Sequence, residues 1–404
     1  MITESRVSKI LIICLLALLV TAIVGISITA WTHPSHKVNP ETLQGNDRLV
    51  VHEWGTFTSI SGKDGVALEW RPLNGSSELP KFVNTIQNTD AGLRHVPKAQ
   101  LTAVVRMETP VLYFYSPNET EVSVKVDFPK GKITEWYPQA RSVNTTIDWG
   151  RLKVMPGAAV NLPVDYSSSH YFAARETDSA PVQSCGTNGK PAQQEKFLFY
   201  RGVGTFALPL SVKLEGKNIL LKSNEVIEHV IVFENRDGKI GYRLIDNFAG
   251  EMVIEKLTFD KSIDSLLTDL KQALVGSGLY EKEADAMIKT WRDSWFEKGA
   301  RVFYILPRQT TDAVLPITIE PRPVELTRVL VGRAELITPE MEKSVQQQVS
   351  LLSNPSPKVR EAALKTIRQY GRFSEPILKD ILQNEKDATI RARITELIET
   401  TSGV

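Results

Sequence analysis

The chain has 404 residues, 42% hydrophobic and 24% charged, which are ordinary proportions for a folded protein with a sizeable core. Its 48 basic and 47 acidic side chains leave a formal charge of +1, which excludes a strongly basic nucleic-acid surface and an acidic, solvating chain. There is no Gly-rich phosphate loop and no Cys/His zinc spacing, so neither nucleic acid nor nucleotide is an expected partner.

The first element is an apolar run. Residues 10 to 30 carry no charge, and a helix of about 20 residues spans the roughly 30 Å of a bilayer core. Arg6 and Lys9 precede it and Trp31 follows, so the positive-inside rule places residues 1–9 in the cytoplasm and the body outside. We expect a transmembrane anchor over 10–31, with the membrane itself as a partner. A cleaved signal peptide is the rival, but its apolar region is normally shorter and ends in a small-x-small site, where Ile28-Thr29-Ala30 offers a bulky residue. Both readings export the body, to the periplasm in a Gram-negative cell. Residues 32–47, with Pro34 and Pro40, read as a tether. Cys14 lies in the apolar run and Cys185 in a polar stretch, so no internal disulfide is expected.

Residues 48–250 carry strand signals. Val122, Val124, Val126 and Phe128 alternate with Glu121, Ser123, Lys125 and Asp127, the period of a half-buried strand. Val111 to Tyr115 is apolar on both faces and suits an inner strand. Asn235-Arg236-Asp237-Gly238 separates two strand-like runs as a hairpin turn. In 251–337 the period changes. Ile263, Leu266, Leu267, Leu270 and Leu274 repeat at helical spacing, as do Ala284, Met287, Ile288, Trp291 and Trp295, and strand-like runs follow. The expected fold is mainly β: a β-sandwich-like body of one or two sandwiches, with an inserted helical hairpin.

Residues 338–404 read as helical. Ser356-Pro357-Lys358-Val359-Arg360-Glu361-Ala362-Ala363 resembles the second helix of a HEAT repeat, and Asp387 to Ile394 echoes it 31 residues on. Val359, Ala363 and Ile367 correspond to Ile390, Ile394 and Ile398, and Arg360 to Arg391, whereas Ala362 is replaced by Arg393. Fewer than two units are present, short of the three a solenoid usually needs. Either these helices dock on the β body or, as the resemblance implies, they offer a surface to a protein partner.

Three phrases carry a further resemblance: His52-Glu53-Trp54-Gly55-Thr56-Phe57, Arg106-Met107-Glu108-Thr109-Pro110 and Thr290-Trp291-Arg292-Asp293-Ser294-Trp295-Phe296. They are similar to those of a large family of bacterial exported proteins without an established activity. The resemblance spans most of residues 49–338. It implies an envelope protein and carries no functional residue across.

The candidate site residues come from the chemistry of their positions. Glu53 shares a strand face with Leu49, Val51 and Phe57, so it is either a general acid or a structural partner of an arginine such as Arg106. His52 points to the opposite face, which argues against the two sharing a metal. Glu108 precedes Thr109-Pro110, where a strand is often irregular. His170, Arg175, Glu176 and Asp178 fall together before a polar loop, either as ligands and acids or as a solvated loop with a local Arg175–Asp178 pair. Arg201-Gly202-Val203-Gly204 lacks a phosphate loop's third glycine and following helix, and the Trp291/Trp295 stripe reads as core. The leading reading is a binding or scaffolding module. The alternative is a glycan-directed hydrolase using carboxylates from Glu53, Glu108, Glu176 and Asp178, with His52 or His170. No cofactor or metal is assigned.

Overall fold

The computed structural model describes residues 48–400 except 75–78, 87–96, 166–168, 187–191 and 256. The anchor expected over 10–31 and the tether over 32–47 lie outside the described residues. Among the described residues, no helix is long and apolar enough to cross a membrane.

The strands in chain order are β1 (Val50–Ser61), β2 (Asn84–Thr85), β3 (Val105–Tyr115), β4 (Thr120–Asp127), β5 (Gly131–Tyr137), β6 (Ser142–Val143), β7 (Thr146–Val154) and β8 (Val182–Ser184). They continue as β9 (Gln194–Glu195), β10 (Leu198–Gly204), β11 (Leu210–Glu215), β12 (Asn218–Arg236), β13 (Lys239–Ile254), β14 (Gly299–Ile305), β15 (Ile317–Glu320) and β16 (Glu325–Leu336). Ten form a sheet in the order β11-β12-β14-β16-β1-β3-β10-β5-β2, with β13 on β12. The other six form a second sheet, β15-β4-β7-β8-β9, with β6 on β7. The protein is mainly β, as its alternating residues require.

All twelve residues of β1 are buried, because both faces of the larger sheet are covered there. On one face Leu49, Val51, Leu112, Phe114 and Leu198 share a core with Val122, Val124, Val126, Ile147 and Leu152 of the smaller sheet. On the other, Val50, Trp54, Val111 and Tyr113 pack against a helical hairpin, α1 (Ile263–Gly276) and α2 (Glu281–Trp295). The hairpin contributes Leu266, Leu270 and Leu274 from α1, and Met287, Trp291 and Trp295 from α2. Ser262 caps α1 by accepting from Ser265 N at 3.1 Å, and Gly278, at φ +110, turns the chain into α2. Both tryptophans are core residues, at 2% and 0% exposure.

The hairpin is an insertion between two strands of one sheet. β14 and β16 complete the larger sheet, with β16 parallel to β1 and β14 antiparallel to β16. The turn joining β12 to β13 has two residues, Asp237 and Gly238, both at positive φ (+51 and +88), the hand that matches strand twist.

After a short helix α3 (Arg308–Val314), the C-terminal part forms two helix pairs, α4 (Pro339–Leu351) with α5 (Pro357–Arg368) and α6 (Ser374–Asn384) with α7 (Ala388–Thr400). Val345, Val349, Ala363, Ile367, Ile377 and Ile394 build a third core, to which the body contributes Ile60 and Trp70. Ion pairs fasten this contact. Arg71 Nε lies 3.0 Å from Glu375, and Lys63 lies 3.0 Å from Glu342 and 2.9 Å from Asp380. The helices therefore dock on the β body.

Candidate functional site

The expected partner of Glu53 is corrected by the sheet order. Arg328, not Arg106, stands opposite Glu53 in the β1–β16 ladder, a pairing no local pattern could reveal across so much chain. Arg328 Nε donates to Glu53 Oε2 at 2.6 Å, and Tyr200 Oη donates to Oε1 at 2.5 Å. Arg328 Nη1 donates to Asp312 and to the Leu315 carbonyl. The Glu53 and Arg328 side chains are fully buried. A buried carboxylate held on both oxygens is a structural tie.

Glu108 lies at an irregular level of the sheet. The β1–β3 register shifts between Trp54 and Thr56, and the β10–β3 register between Phe199 and Gly202. Gly55 permits the close approach, since a Cβ there would meet Pro110 Cα at 2.9 Å. Thr109 adopts φ +45, a strained conformation for a β-branched residue. Thr58 Oγ1 donates to Glu108 at 2.6 Å, and Arg106 Nε lies 3.2 Å away. Burial would raise this carboxyl's pKa, but Arg106, Arg333 and Arg201 around it hold it down at about 2.

From Arg333 the charges continue toward the helices. Arg333 pairs with Glu335 and donates to the Ser294 carbonyl at the end of α2 at 2.9 Å. Glu335 also accepts from Arg301 Nε at 3.1 Å and from Arg372 Nη1 at 2.7 Å. Arg372 Nη2 donates to Glu297 at 2.8 Å. Burial works against the ionised Glu335, yet Arg333, Arg301 and Arg372 lower it to about 2. This network joins sheet, hairpin and tail. The sequence did carry a signal for it, because Arg333 and Glu335 continue the alternation of Val329 and Val331, which face the hairpin.

His52 lies on the hairpin side of β1 with its side chain fully buried. Nδ1 donates to Glu283 Oε2 at 2.8 Å, and Nε2 is 3.6 Å from Glu325. Glu283 also accepts from Tyr115 Oη at 2.7 Å and from the Tyr280 amide at 2.8 Å. Burial opposes protonation of His52, but the hydrogen bond and charge of Glu283, with Glu325 adding to them, raise its pKa to about 9. An imidazolium at neutral pH thus joins β1, α2 and the start of β16.

The segment His170–Asp178 follows α2. Its nearest cationic or acidic partners are spaced along that helix: Lys282 for Asp178 at 2.6 Å, Lys289 for Glu176 at 2.5 Å and Asp293 for His170 at 3.1 Å. These pairs are largely exposed and contribute little to stability. Arg175 does not pair with Asp178; it grips buried Glu195 through Nε at 3.0 Å and Nη2 at 2.7 Å, and lies over the Phe172 ring. The bidentate geometry and the aromatic neighbours favour Glu195 over an exposed carboxylate. Glu53 and Glu108 are therefore tied to Arg328 and Arg106 within the larger sheet, whereas Glu176 and Asp178 are tied to Lys289 and Lys282 along α2. Among the described residues, no group of three or more His, Cys, Asp or Glu is placed to hold a metal ion.

An apolar concavity lies elsewhere, where the end of β1 and β11 meet the tail. This groove of about 700 Å³ has Leu68, Leu214, Leu336, Ile337 and Ile377 in its lining, with charged residues around them. A pocket of this size, mainly apolar with a few polar groups, suits a ligand. Sequence reasoning missed it because its walls come from four stretches distant along the chain.

No family model matches the chain, and no curated protein matches it. Among solved structures, a similarity is found to the yeast delta-COP-I mu-homology domain complexed with a Dsl1 WxWxV peptide. The identity is 9%, the match covers 72% of this chain and 99% of that one, and the TM-score is 0.27. A likeness of that extent carries no argument about this chain's fold or partner.

Proposed function

We propose that this is a membrane-anchored, extracytoplasmic binding or scaffolding module, and that the groove between body and tail is its binding surface. The groove is the observation that carries the reading. The carboxylates that a hydrolase would need are bound separately, whereas the groove offers apolar lining at a junction of elements. The finer description of the body as a β-sandwich is supported by the core that the two sheets share.

In the same reading the tail is HEAT-like. The corresponding arginines behave alike: Arg360 Nη1 donates to the carbonyls of Asn354 and Pro355, and Arg391 Nη1 to those of Leu382 and Glu385. Each guanidinium braces its helix against the preceding turn, which supports the likeness of the two pairs.

The test is a photoreactive amino acid at position 69, an exposed site on the groove's rim, in the intact chain in cell membranes. Light-dependent adducts are expected there and not with the same group at Val253, exposed on β13. Equal adducts at both sites, or none at 69, would remove the binding reading.

A further inference from the structure

The groove's floor and rim differ in chemistry. Leu68, Leu214, Leu336, Ile337, Pro376 and Ile377 supply an aliphatic floor. Around it stand the carboxylates of Asp64, Glu69, Glu342 and Asp380 and the ammonium groups of Lys63 and Lys379. Four negative against two positive charges leave the rim at −2. Both ammonium groups are already engaged: Lys63 by Glu342 at 3.0 Å and Asp380 at 2.9 Å, and Lys379 by Glu375 at 2.9 Å.

These features select among ligands. A phosphate or carboxylate would approach a negative rim whose cations are occupied. A sugar would leave the aliphatic floor against hydroxyls. An aliphatic side chain fills the floor, and a neighbouring cation completes the rim, with complementary charge also speeding encounter. The volume of about 700 Å³ accommodates a short segment and not a whole protein face.

We propose that the groove binds a short peptide segment of a partner protein, in which aliphatic side chains are flanked by lysine or arginine. This rests on the binding reading above and gives its partner a chemistry.

The probe is a short fluorescent peptide of leucines and lysines, measured by anisotropy against the intact chain. Two controls replace either its lysines by glutamates or its leucines by serines. The Leu/Lys peptide is expected to bind about tenfold more tightly than either control, and less tightly as salt rises. Glu69→Lys, at an exposed position, brings the rim to neutrality; it should weaken the Leu/Lys peptide and strengthen the Leu/Glu peptide. Leu68→Ser should weaken the Leu/Lys peptide with the melting transition retained. Equal binding of Leu/Lys and Leu/Glu peptides, or no effect of Glu69→Lys, overturns the proposal. So does a position-69 adduct of twice the chain mass, which is a second copy, or one that mass spectrometry maps to residues 1–47 or 401–404 of the same chain. If the peptides fail while adducts to another protein persist at position 69, the partner chemistry is wrong and the binding role stands. If both fail, both readings fall.

Discussion

Glu53 accepts hydrogen bonds from Tyr200 and Arg328 inside a sheet covered on both faces. Its surroundings favour a fixed charge pair. Glu53→Ala would leave the Arg328 guanidinium buried without its buried carboxylate, and breaking such a pair typically costs about 3–5 kcal/mol. We predict a loss of that order in chemical denaturation, with Arg328→Ala costing a similar amount and the double variant less than the sum. Additive losses would mean that the two side chains stabilise the sheet separately. Glu108 is different because strain surrounds it. Thr109 at φ +45 costs on the order of 1 kcal/mol or more, so Thr109→Gly is predicted to leave stability unchanged or raise it despite removing a buried methyl. A marked loss would show that the side chain's packing outweighs the backbone strain.

Between elements, His52 is the charged tie of the hairpin to the sheet. Its folded pKa, about 9, lies above the unfolded value of 6.5. Its contribution is therefore fully present below about pH 6.5 and is lost as pH rises through about 9, with a size on the order of 3 kcal/mol. Denaturant melts between pH 7 and 10 should fall in stability for the parent chain, and His52→Gln should lack that component of the slope. Identical slopes would refute the tie. The hairpin itself was legible in the sequence, because leucines at helical spacing and Gly276-Ser277-Gly278 are local signals. So was the Asp237-Gly238 turn, whose residues tolerate positive φ. The partners of His52 were not legible: Glu283 lies on an inserted helix and Glu325 on a strand that pairs with β1 from the far end of the body. Strand order decides such meetings, and one sequence does not disclose it.

Across the molecule, charges run from buried Glu108 through Arg333 and Glu335 to the half-buried Arg372, joining body and tail. Glu335 is held at about 2, below its usual 4.5, so its contribution is present above pH 4.5 and lost as pH falls through about 2. Glu335→Gln should destabilise the fold by about 3 kcal/mol or more and quicken hydrogen exchange across residues 339–400. Unchanged exchange would mean that the apolar contact and the Arg71 and Lys63 ion pairs hold the tail without help from Glu335. The docking of the tail was one of two readings open from the sequence, since Val359, Ala363 and Ile367 share one helical face, but nothing local shows that distant Ile60 and Trp70 join the core that Ala363 and Ile367 enter. Likewise, the shape of the groove depends on where that tail comes to rest.

Location decides what such a groove can meet. Cys185 is an exposed free thiol, and Cys14 is the other cysteine of the chain. In a Cys14→Ser variant, a thiol reagent that cannot cross membranes should label Cys185 in osmotically intact spheroplasts. Labelling that appears only after lysis would put the body in the cytosol and contradict an exported binding module.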